Sequence, residues 1–402
     1  MTLRTTLACA LALSCTTVLA DDGAIRRATA LAQDAIIVDT HIDAPGILSE
    51  TWADLGEAAP DREFDWPRAR QGGLDIAFMS IYTSAREDSE GKARQSAHAQ
   101  IDSIEALVHR HSDRFAILTS PADVERLRAG GRVLLPLGME NGAPLGDDLS
   151  QVQAFFDRGI RYITLAHSAA NRLADSSYGA ERQWNGLSPF GREVVAEMNR
   201  LGIMVDVSHI SDAAAAQAIE LSTVPVIASH SAFRHFTPGF ERNISDELAL
   251  AIARRGGVVQ VPFGTAFVNA QAAADMQARF RARAEFDARN AELAAAGQPT
   301  QDVAAFEAAW DRDHPTPTTP LSAVLDQIDH GVRLLGVDHV GLGSDFDGVG
   351  GELAQGLRSV ADFPNLVDGL LSRGHSEADV RKILGGNLLR VWREVEAGAA
   401  RR

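Results

Sequence analysis

The chain has 402 residues, of which 45% are hydrophobic and 23% charged, and its formal net charge is −16. A chain of this size and composition can bury a large core. The strong negative charge argues against nucleic acid and anionic lipid surfaces as partners. Charge says little about fold, so the fold is inferred from the order of apolar and polar segments.

The N-terminal segment 1–20 has the features of a secretory signal peptide. It has a positive start at Arg4, a short apolar run over Leu7–Leu13 and small residues before a cleavage site at Ala20. The run is too short to span a bilayer, which argues against stable membrane insertion. Both cysteines fall in this segment, so we expect neither a cysteine nucleophile nor thiolate zinc ligands in the exported chain. We expect export to a bacterial periplasm and a single domain over 21–402.

A short β-branched run that ends in a polar or charged residue recurs eight times. Near-continuous apolar runs are typical of strands that are buried on both faces, as in a parallel sheet. The eight predicted strands are residues 36–41, 74–82, 133–140, 162–167, 203–209, 224–230, 257–263 and 340–345.

Segments with helical spacing lie between most of these strands. Two of them follow a serine in N-cap position, Ser211 and Ser245. Alternation of strands and helices predicts an α/β fold, and eight such units predict a (β/α)8 TIM-type barrel with its active residues at the C-terminal rim. The predicted helices are Ala93–His109, Leu149–Arg158, Gly191–Leu201, Asp212–Leu221 and Asp246–Arg255.

Two segments interrupt this alternation. Residues 51–73 are interpreted as an irregular loop. Residues 264–320 form an insertion whose Ala-rich, charged stretch Asn269–Trp310 predicts helices, ended by a cluster of prolines. This insertion is either a solvated helical hairpin or a lid or subunit contact.

Side chains that can bind metals gather at the predicted strand ends. His41 and Asp43 are two residues apart and therefore share one face of a strand. Imidazole and carboxylate together favour zinc and its neighbours, and six ligands exceed the need of one tetrahedral ion. A binuclear site explains the surplus. The six predicted ligands are His41, Asp43, Glu140, His209, His230 and Asp345.

Glu140 is the predicted bridge between the two ions. Some two-metal barrels use a carbamylated lysine as the bridge, but the only lysines here are Lys92 and Lys382, and neither ends a predicted strand. The bridging role therefore falls to a carboxylate, and Glu140 ends the third strand, between the two ligand sets.

A family resemblance follows from a set of short motifs in a fixed order. The segments VDTHID, GMENG, RYITLAHS, DVSH, ASHS and GSDFDG resemble the renal (membrane) dipeptidase family of zinc peptidases. The C-terminal GGNLLRVW resembles the closing helix of that family, and the resemblance covers about residues 34–395. The combination is specific, although each motif alone is weak.

The resemblance implies a role for each site residue. It implies a first zinc on His41 and Asp43, a bridging Glu140 and a second zinc on His209 and His230. It also implies Asp345 as the catalytic acid/base beside the first zinc, His167 as the residue that contacts the substrate carbonyl and Arg242 as the one that holds the substrate's terminal carboxylate. The implied protein binds two Zn²⁺ per chain, forms a homodimer and hydrolyses dipeptides through a metal-bridging hydroxide. D-residues at the substrate's C-terminus are included among the candidates.

Elementary chemistry agrees with these roles but leaves alternatives open. Arginine matches a planar carboxylate with two parallel hydrogen bonds. A different binuclear hydrolase, acting on a lactone, phosphotriester or cyclic amide, would use the same metals without needing Arg242. A non-catalytic zinc or peptide binder would need no proton shuttle at Asp345. Simpler alternatives exist for single residues: a core histidine at position 167, a solvated residue for Arg242 and a turn residue for Asp347. A structural role is predicted for His330 and His339.

Overall fold

The computed structural model describes residues 23–179 and 182–399. The predicted signal peptide at 1–20 lies outside these residues. Within the described residues, ten strands form one parallel sheet: β1 (Ile37–Ile42), β2 (Leu74–Tyr82), β3 (Phe115–Ile117), β4 (Val133–Leu135), β5 (Leu137–Glu140), β6 (Ile160–Thr164), β7 (Met204–Asp206), β8 (Ile227–Ala228), β9 (Val258–Val261) and β10 (Val340–Leu342).

The sheet closes on itself into a barrel. β4 and β5 pair in succession along the long β2, so they occupy one place in the barrel, and β3 is an extra strand on β4. The remaining strands follow in chain order from β5 to β10. Closure of β10 onto β1 runs through Asp345 N–H, which donates to His41 O at 3.1 Å, and Asp43 N–H, which donates to Phe346 O at 2.9 Å. The closing hydrogen bonds thus come from site residues themselves.

Helices surround the barrel and fill most of the connections between strands. They are α1 (23–34), α2 (Ala44–Glu50), α3 (Trp66–Gly72), α4 (Ala85–Ser89), α5 (Ala93–Arg110), α6 (Val124–Leu127), α7 (Ser150–Asp157), α8 (Pro189–Leu201), α9 (Asp212–Leu221), α10 (Asp246–Arg254), α11 (Thr265–Val268), α12 (Ala270–Ala295), α13 (Val303–Asp313), α14 (Leu321–Leu335), α15 (Phe363–Ser372), α16 (Glu377–Arg381) and α17 (Asn387–Ala399). The predicted caps Ser211 and Ser245 begin α9 and α10, and each side chain accepts a backbone N–H of the first turn.

Two apolar clusters hold this architecture together. The larger one lies between the sheet and the surrounding helices. The smaller one combines inward-facing strand residues such as Phe78 and Tyr162 with the C-terminal helix α17. Trp392 of α17 is fully buried, and its ring centroid lies 5.3 Å from that of Phe78. A layered, packed interior of this kind is the mark of a barrel core rather than a pore.

The segment between β9 and α14 forms helices α11, α12 and α13. Glu307 of α13 forms ion pairs with Arg279 and Arg283 of α12, and the rings of Phe286 and Phe306 lie 4.7 Å apart. α12 buries Ala272 and Ala273, whereas α13 buries no residue. The two helices therefore form a hairpin that contacts the barrel through α12.

The prediction of an α/β barrel is confirmed, with two local corrections. β3 was not predicted, because a run of three residues carries little pattern. The prediction of an irregular loop over 51–73 is wrong for residues 66–72, which form α3. Asp65 caps this helix by accepting the Arg68 N–H, and Pro67 lies in its first turn. Among the described residues, none of the helices combines the length and the apolar character needed to cross a bilayer.

Candidate metal centre

The six predicted ligands meet at one rim of the barrel. His41 and Glu140 lie within β1 and β5, whereas His209, His230 and Asp345 lie two or three residues beyond the last residue of their strands. Asp43 is the N-cap residue of α2, which follows β1 directly. The C-terminal ends of the strands thus deliver all of these groups to one place, as the barrel topology requires.

Glu140 lies at the centre of the cluster, and its two oxygens face different partners. Oε2 is 3.4 Å from His41 Nε2, which is itself 3.4 Å from Asp43 Oδ2. Oε1 is 3.0 Å from His209 Nε2 and 3.3 Å from His230 Nε2. The carboxylate therefore separates two ligand groups, one on each oxygen.

Asp345 completes the group around His41. One ligand atom each from His41, Asp43 and Asp345 lies within 4.8 Å of the others. Burial and the neighbouring Asp43 carboxylate raise the pKa of Asp345 well above its usual range. A carboxyl with a raised pKa binds a proton more readily than an ordinary one, which suits acid/base chemistry.

The donor set fits metal ions, because the imidazole nitrogens of the cluster face one another and a carboxylate. His209 Nε2 lies 2.7 Å from His230 Nε2, and both face Glu140 Oε1. Burial, reinforced by Arg242 for His209 and by His41 for His230, lowers the pKa of both imidazoles well below the usual range. Neutral imidazoles present lone pairs, so a cation between these atoms would satisfy all three groups.

The surroundings of His41 also favour a positive charge. Burial opposes charge on His41, but Tyr162, Glu140 and Asp43 outweigh it and raise the pKa of this imidazole well above its usual range. Its Nε2 is buried, and within the described part of the chain it has no hydrogen-bond partner. A metal ion at this atom would supply the charge that the surrounding oxygens favour.

An outer layer of hydrogen bonds orients the histidines. His41 Nδ1 and Tyr162 Oη are 2.8 Å apart, which leaves Nε2 directed at the cluster. His230 Nδ1 lies 2.8 Å from Ser229 Oγ, which donates to Asp206 Oδ2 at 2.6 Å. Partners of this kind hold a ligand in one orientation and tautomer. Neither Tyr162 nor Asp206 was predicted from the sequence as a site residue, although both lie in motifs that were singled out.

Strained backbone accompanies the ligands. His209 (φ 68°) and Asp345 (φ 67°) adopt the left-handed conformation, as does Asp347 (φ 64°). Such conformations are costly for residues other than glycine and cluster at functional sites. Asp347 Oδ1 accepts the Glu63 N–H at 2.8 Å, so this side chain braces the turn that carries Asp345. A Cβ at Gly348 would collide with Asp43 Oδ2 and Asp345 Oδ1, so the turn needs glycine there.

His167 and Arg242 lie beside the cluster. His167 Nε2 is 3.5 Å from Glu140 Oε1, and its side chain is partly exposed. Arg242 is only 2% exposed, which excludes a solvated surface role. Its guanidinium donates to Ser231 Oγ at 2.9 Å and to His230 O at 2.8 Å, and Nη2 lies 2.9 Å from His209 Nε2. Both residues thus lie in contact with the histidines and the carboxylate of the cluster.

Aromatic side chains that the sequence analysis did not identify form a wall of the site. The Tyr82 ring packs edge-on against His167 at 4.7 Å, and the Tyr178 ring lies 5.9 Å from that of His209. Phe280 of α12 stacks on Tyr178 at 4.1 Å. This stack brings the insertion to the metal centre. No local pattern signals a contact between residues so far apart in the chain.

Comparison with known proteins identifies the family. The family model for membrane dipeptidases, peptidase family M19, matches residues 25–402. Dipeptidase tcpJ of Claviceps purpurea is 31% identical over 343 residues, which cover 84% of this chain and 70% of that protein. Human Dipeptidase 3 is 29% identical over 379 residues, which cover 92% of this chain and 67% of that protein.

Solved structures show the same fold. The probable dipeptidase PvdM from Pseudomonas aeruginosa superposes with a TM-score of 0.81 at 28% identity, and the match covers 94% of this chain and 100% of that one. A metallo peptidase from Rhodobacter sphaeroides, solved with a phosphinate mimic of the dipeptide L-Ala-D-Ala, gives a TM-score of 0.72 at 24% identity, over 90% of this chain and 99% of that one. The chain therefore belongs to the membrane dipeptidase family, peptidase family M19, and is a metallo-dipeptidase.

Proposed function

We propose that the chain hydrolyses dipeptides with two Zn²⁺ ions, one held by His41, Asp43 and Glu140 and the other by Glu140, His209 and His230. The observation that carries this proposal is the placement of Glu140, whose two oxygens face two separate ligand groups. Imidazole with carboxylate is a donor set that suits zinc. When bound, two such metal ions supply Lewis acidity and lower the pKa of a coordinated water towards ~7.

Asp345 is the proposed proton carrier. Its buried carboxyl lies within 4.8 Å of a ligand atom of His41 and of Asp43, and its pKa is raised by burial and by Asp43. It can therefore accept a proton from the attacking water and return it to the departing amine nitrogen. A general acid/base must be within reach of both atoms, and a position beside His41 and Asp43 is the basis for this role.

His167 and Arg242 are the proposed substrate contacts. Attack on a peptide carbonyl builds negative charge on its oxygen, and an N–H of His167 beside Glu140 can stabilise that charge. Arg242 presents a buried guanidinium whose Nε is, among the described residues, without a hydrogen-bond partner. A terminal carboxylate at this guanidinium would place the single peptide bond of a dipeptide over the cluster.

The buried arginine favours a dipeptide over a lactone, phosphotriester or cyclic amide. Those substrates carry no free carboxylate, so the buried charge of Arg242 would have no anion to offset its desolvation. Dipeptides that end in a D-residue belong among the candidates, because the structurally related metallo peptidase holds a mimic of L-Ala-D-Ala.

The test is a panel of L,L- and L,D-dipeptides assayed with purified protein before and after chelation, with metal content measured in parallel. We expect turnover that disappears on chelation and returns with Zn²⁺, and two ions per active chain. Protein that holds two ions but cleaves no dipeptide would contradict the proposal and favour a non-catalytic binder. Turnover of a lactone or phosphotriester alone would favour the other binuclear hydrolases.

Export to a bacterial periplasm and a homodimeric state are also proposed. The first is supported by the signal-like sequence at 1–20 and the second by the family resemblance. N-terminal sequencing of the protein from a periplasmic extract and light scattering of the purified protein test them. We expect a mature N-terminus at Asp21 and the mass of two chains; an uncleaved cytoplasmic protein or a monomer would contradict the respective proposal.

A further inference from the structure

A second group of metal-competent side chains lies outside the active site, where the loop after β8 meets α10 and α14. His235 lies in the loop, Asp246 is the first residue of α10, and His330 lies on α14. One ligand atom from each lies within 4.8 Å of the others. We propose that these three residues bind a first-row transition metal ion such as Zn²⁺, in addition to the ions of the active site.

The geometry of the three side chains carries this proposal. His330 Nε2 lies 2.9 and 3.1 Å from the two carboxylate oxygens of Asp246. The ring of His235 stacks on that of His330, with centroids 4.4 Å apart and 18° between the planes, so His235 must turn for both imidazoles to direct a nitrogen at one ion. Within the described ranges, neither ring nitrogen of the exposed His235 has a hydrogen-bond partner. Two imidazoles and one carboxylate form a common protein ligand set for zinc that leaves a further position for water.

The site has one side that is largely buried and one side that is exposed to solvent. The His330 side chain is 9% exposed and that of Asp246 31% exposed, so the pair is held in place and partly shielded. Phe233 and Phe236 pack edge-on against the His330 ring at 5.3 and 5.6 Å. His235 is exposed and can turn towards an ion that arrives from solvent. This arrangement differs from the purely structural role that the sequence predicted for His330.

An ion here would tie together three elements next to the active site. The loop that carries His235 begins just after the zinc ligand His230 and also carries Arg242. Arg234 N–H donates to Ile244 O and Arg234 Nε donates to Asn243 O, both at 2.8 Å, so the His235 turn is joined to the Arg242 segment. We expect a bound ion to raise the thermal stability of the protein and to protect this loop from proteolysis.

The test counts metal ions in the holoenzyme. Wild type, His235→Ala and Asp246→Asn are dialysed against buffered Zn²⁺ and analysed by plasma mass spectrometry. The matched control is His314→Ala, which removes an exposed histidine stacked on Trp310. We expect the first two variants to hold one ion fewer per chain than wild type and the control to hold the same number.

The test measures the difference in zinc content between each variant and wild type. This difference does not depend on how many ions the active site holds, so it reports on the proposed site alone. His235→Ala removes an exposed side chain, so its folding should be unaffected. Equal zinc content in wild type and His235→Ala would overturn the proposal. An equal loss in His314→Ala would overturn it as well, since the ion would then be bound by surface histidines in general.

Discussion

Replacing Arg242 with alanine tests the substrate end of the site. The guanidinium is 2% exposed, so its charge acts in a largely desolvated position. Truncating one partner of a buried, hydrogen-bonded charge pair costs about 2–5 kcal/mol. At 1.4 kcal/mol per factor of ten, kcat/KM for a dipeptide should fall roughly 30-fold to several thousand-fold. Steady-state kinetics on the best dipeptide of the panel measures this loss.

The same dipeptide with a C-terminal amide is the matched control, because it lacks the carboxylate. Wild type should cleave the amide poorly, and Arg242→Ala should lose little further on it. Arg242→Lys keeps the charge but not the two parallel hydrogen bonds, so its kcat/KM for the dipeptide should lie between those of wild type and Arg242→Ala. The zinc content of each variant must equal that of wild type for this comparison. Arg242 contacts His209 and His230, and a loss of metal would also lower kcat/KM. Equal losses on the acid and the amide, or no loss on either, would refute the reasoning.

Three further predictions concern the metal centre and its wall. Glu140→Gln should lower the zinc content from two ions to at most one and abolish turnover, because one side chain serves both ligand groups; full zinc content in this variant would contradict the bridging role. Tyr162→Phe removes the hydroxyl that contacts Nδ1 of His41, a proposed metal ligand. It should weaken zinc binding about 10- to 100-fold in a chelator competition, with circular dichroism as the folding control. Phe280→Ala should raise KM about two- to tenfold, since the aromatic pair that it forms with Tyr178 contributes about 0.5–1.5 kcal/mol. Phe286→Ala is the control, because Phe286 lies on the same helix but pairs within the hairpin, and it should leave KM unchanged. Equal effects of the two variants would show that the hairpin as a whole, and not the stack on Tyr178, determines KM.

The strand pattern was readable because parallel strands are buried on both faces. The first eight residues of β2 are buried and most of them are apolar, so the apolar run appears directly in the sequence. The ends of the strands were less predictable. β7 ends at Asp206, although the predicted run continued to His209, because the backbone leaves the sheet there to reach φ 68° at that histidine. His209, His230 and Asp345 therefore follow their strands, whereas His41 and Glu140 lie within theirs.

The local sequence also contains the signal for a helix in the segment predicted as an irregular loop. Asp65 followed by Trp66 and Pro67 is the start of a helix, with a capping carboxylate and a proline in the first turn. Other features left no local signal. The burial of Arg242, in a segment rich in charged residues, depends on Ser231 and on the ring of Phe267, which lies 4.9 Å from its guanidinium carbon.

The sequence alone determined the classes of element, their order and the side chains that can bind metals, because burial on both faces and ligand chemistry are properties of short segments. Only the tertiary structure decided which oxygen of Glu140 faces which histidine, that Phe280 of the insertion stacks on Tyr178, and that His235, Asp246 and His330 meet. These relations are distances between segments that are remote in the chain. They follow from how the barrel closes and how its loops pack, which no local pattern encodes.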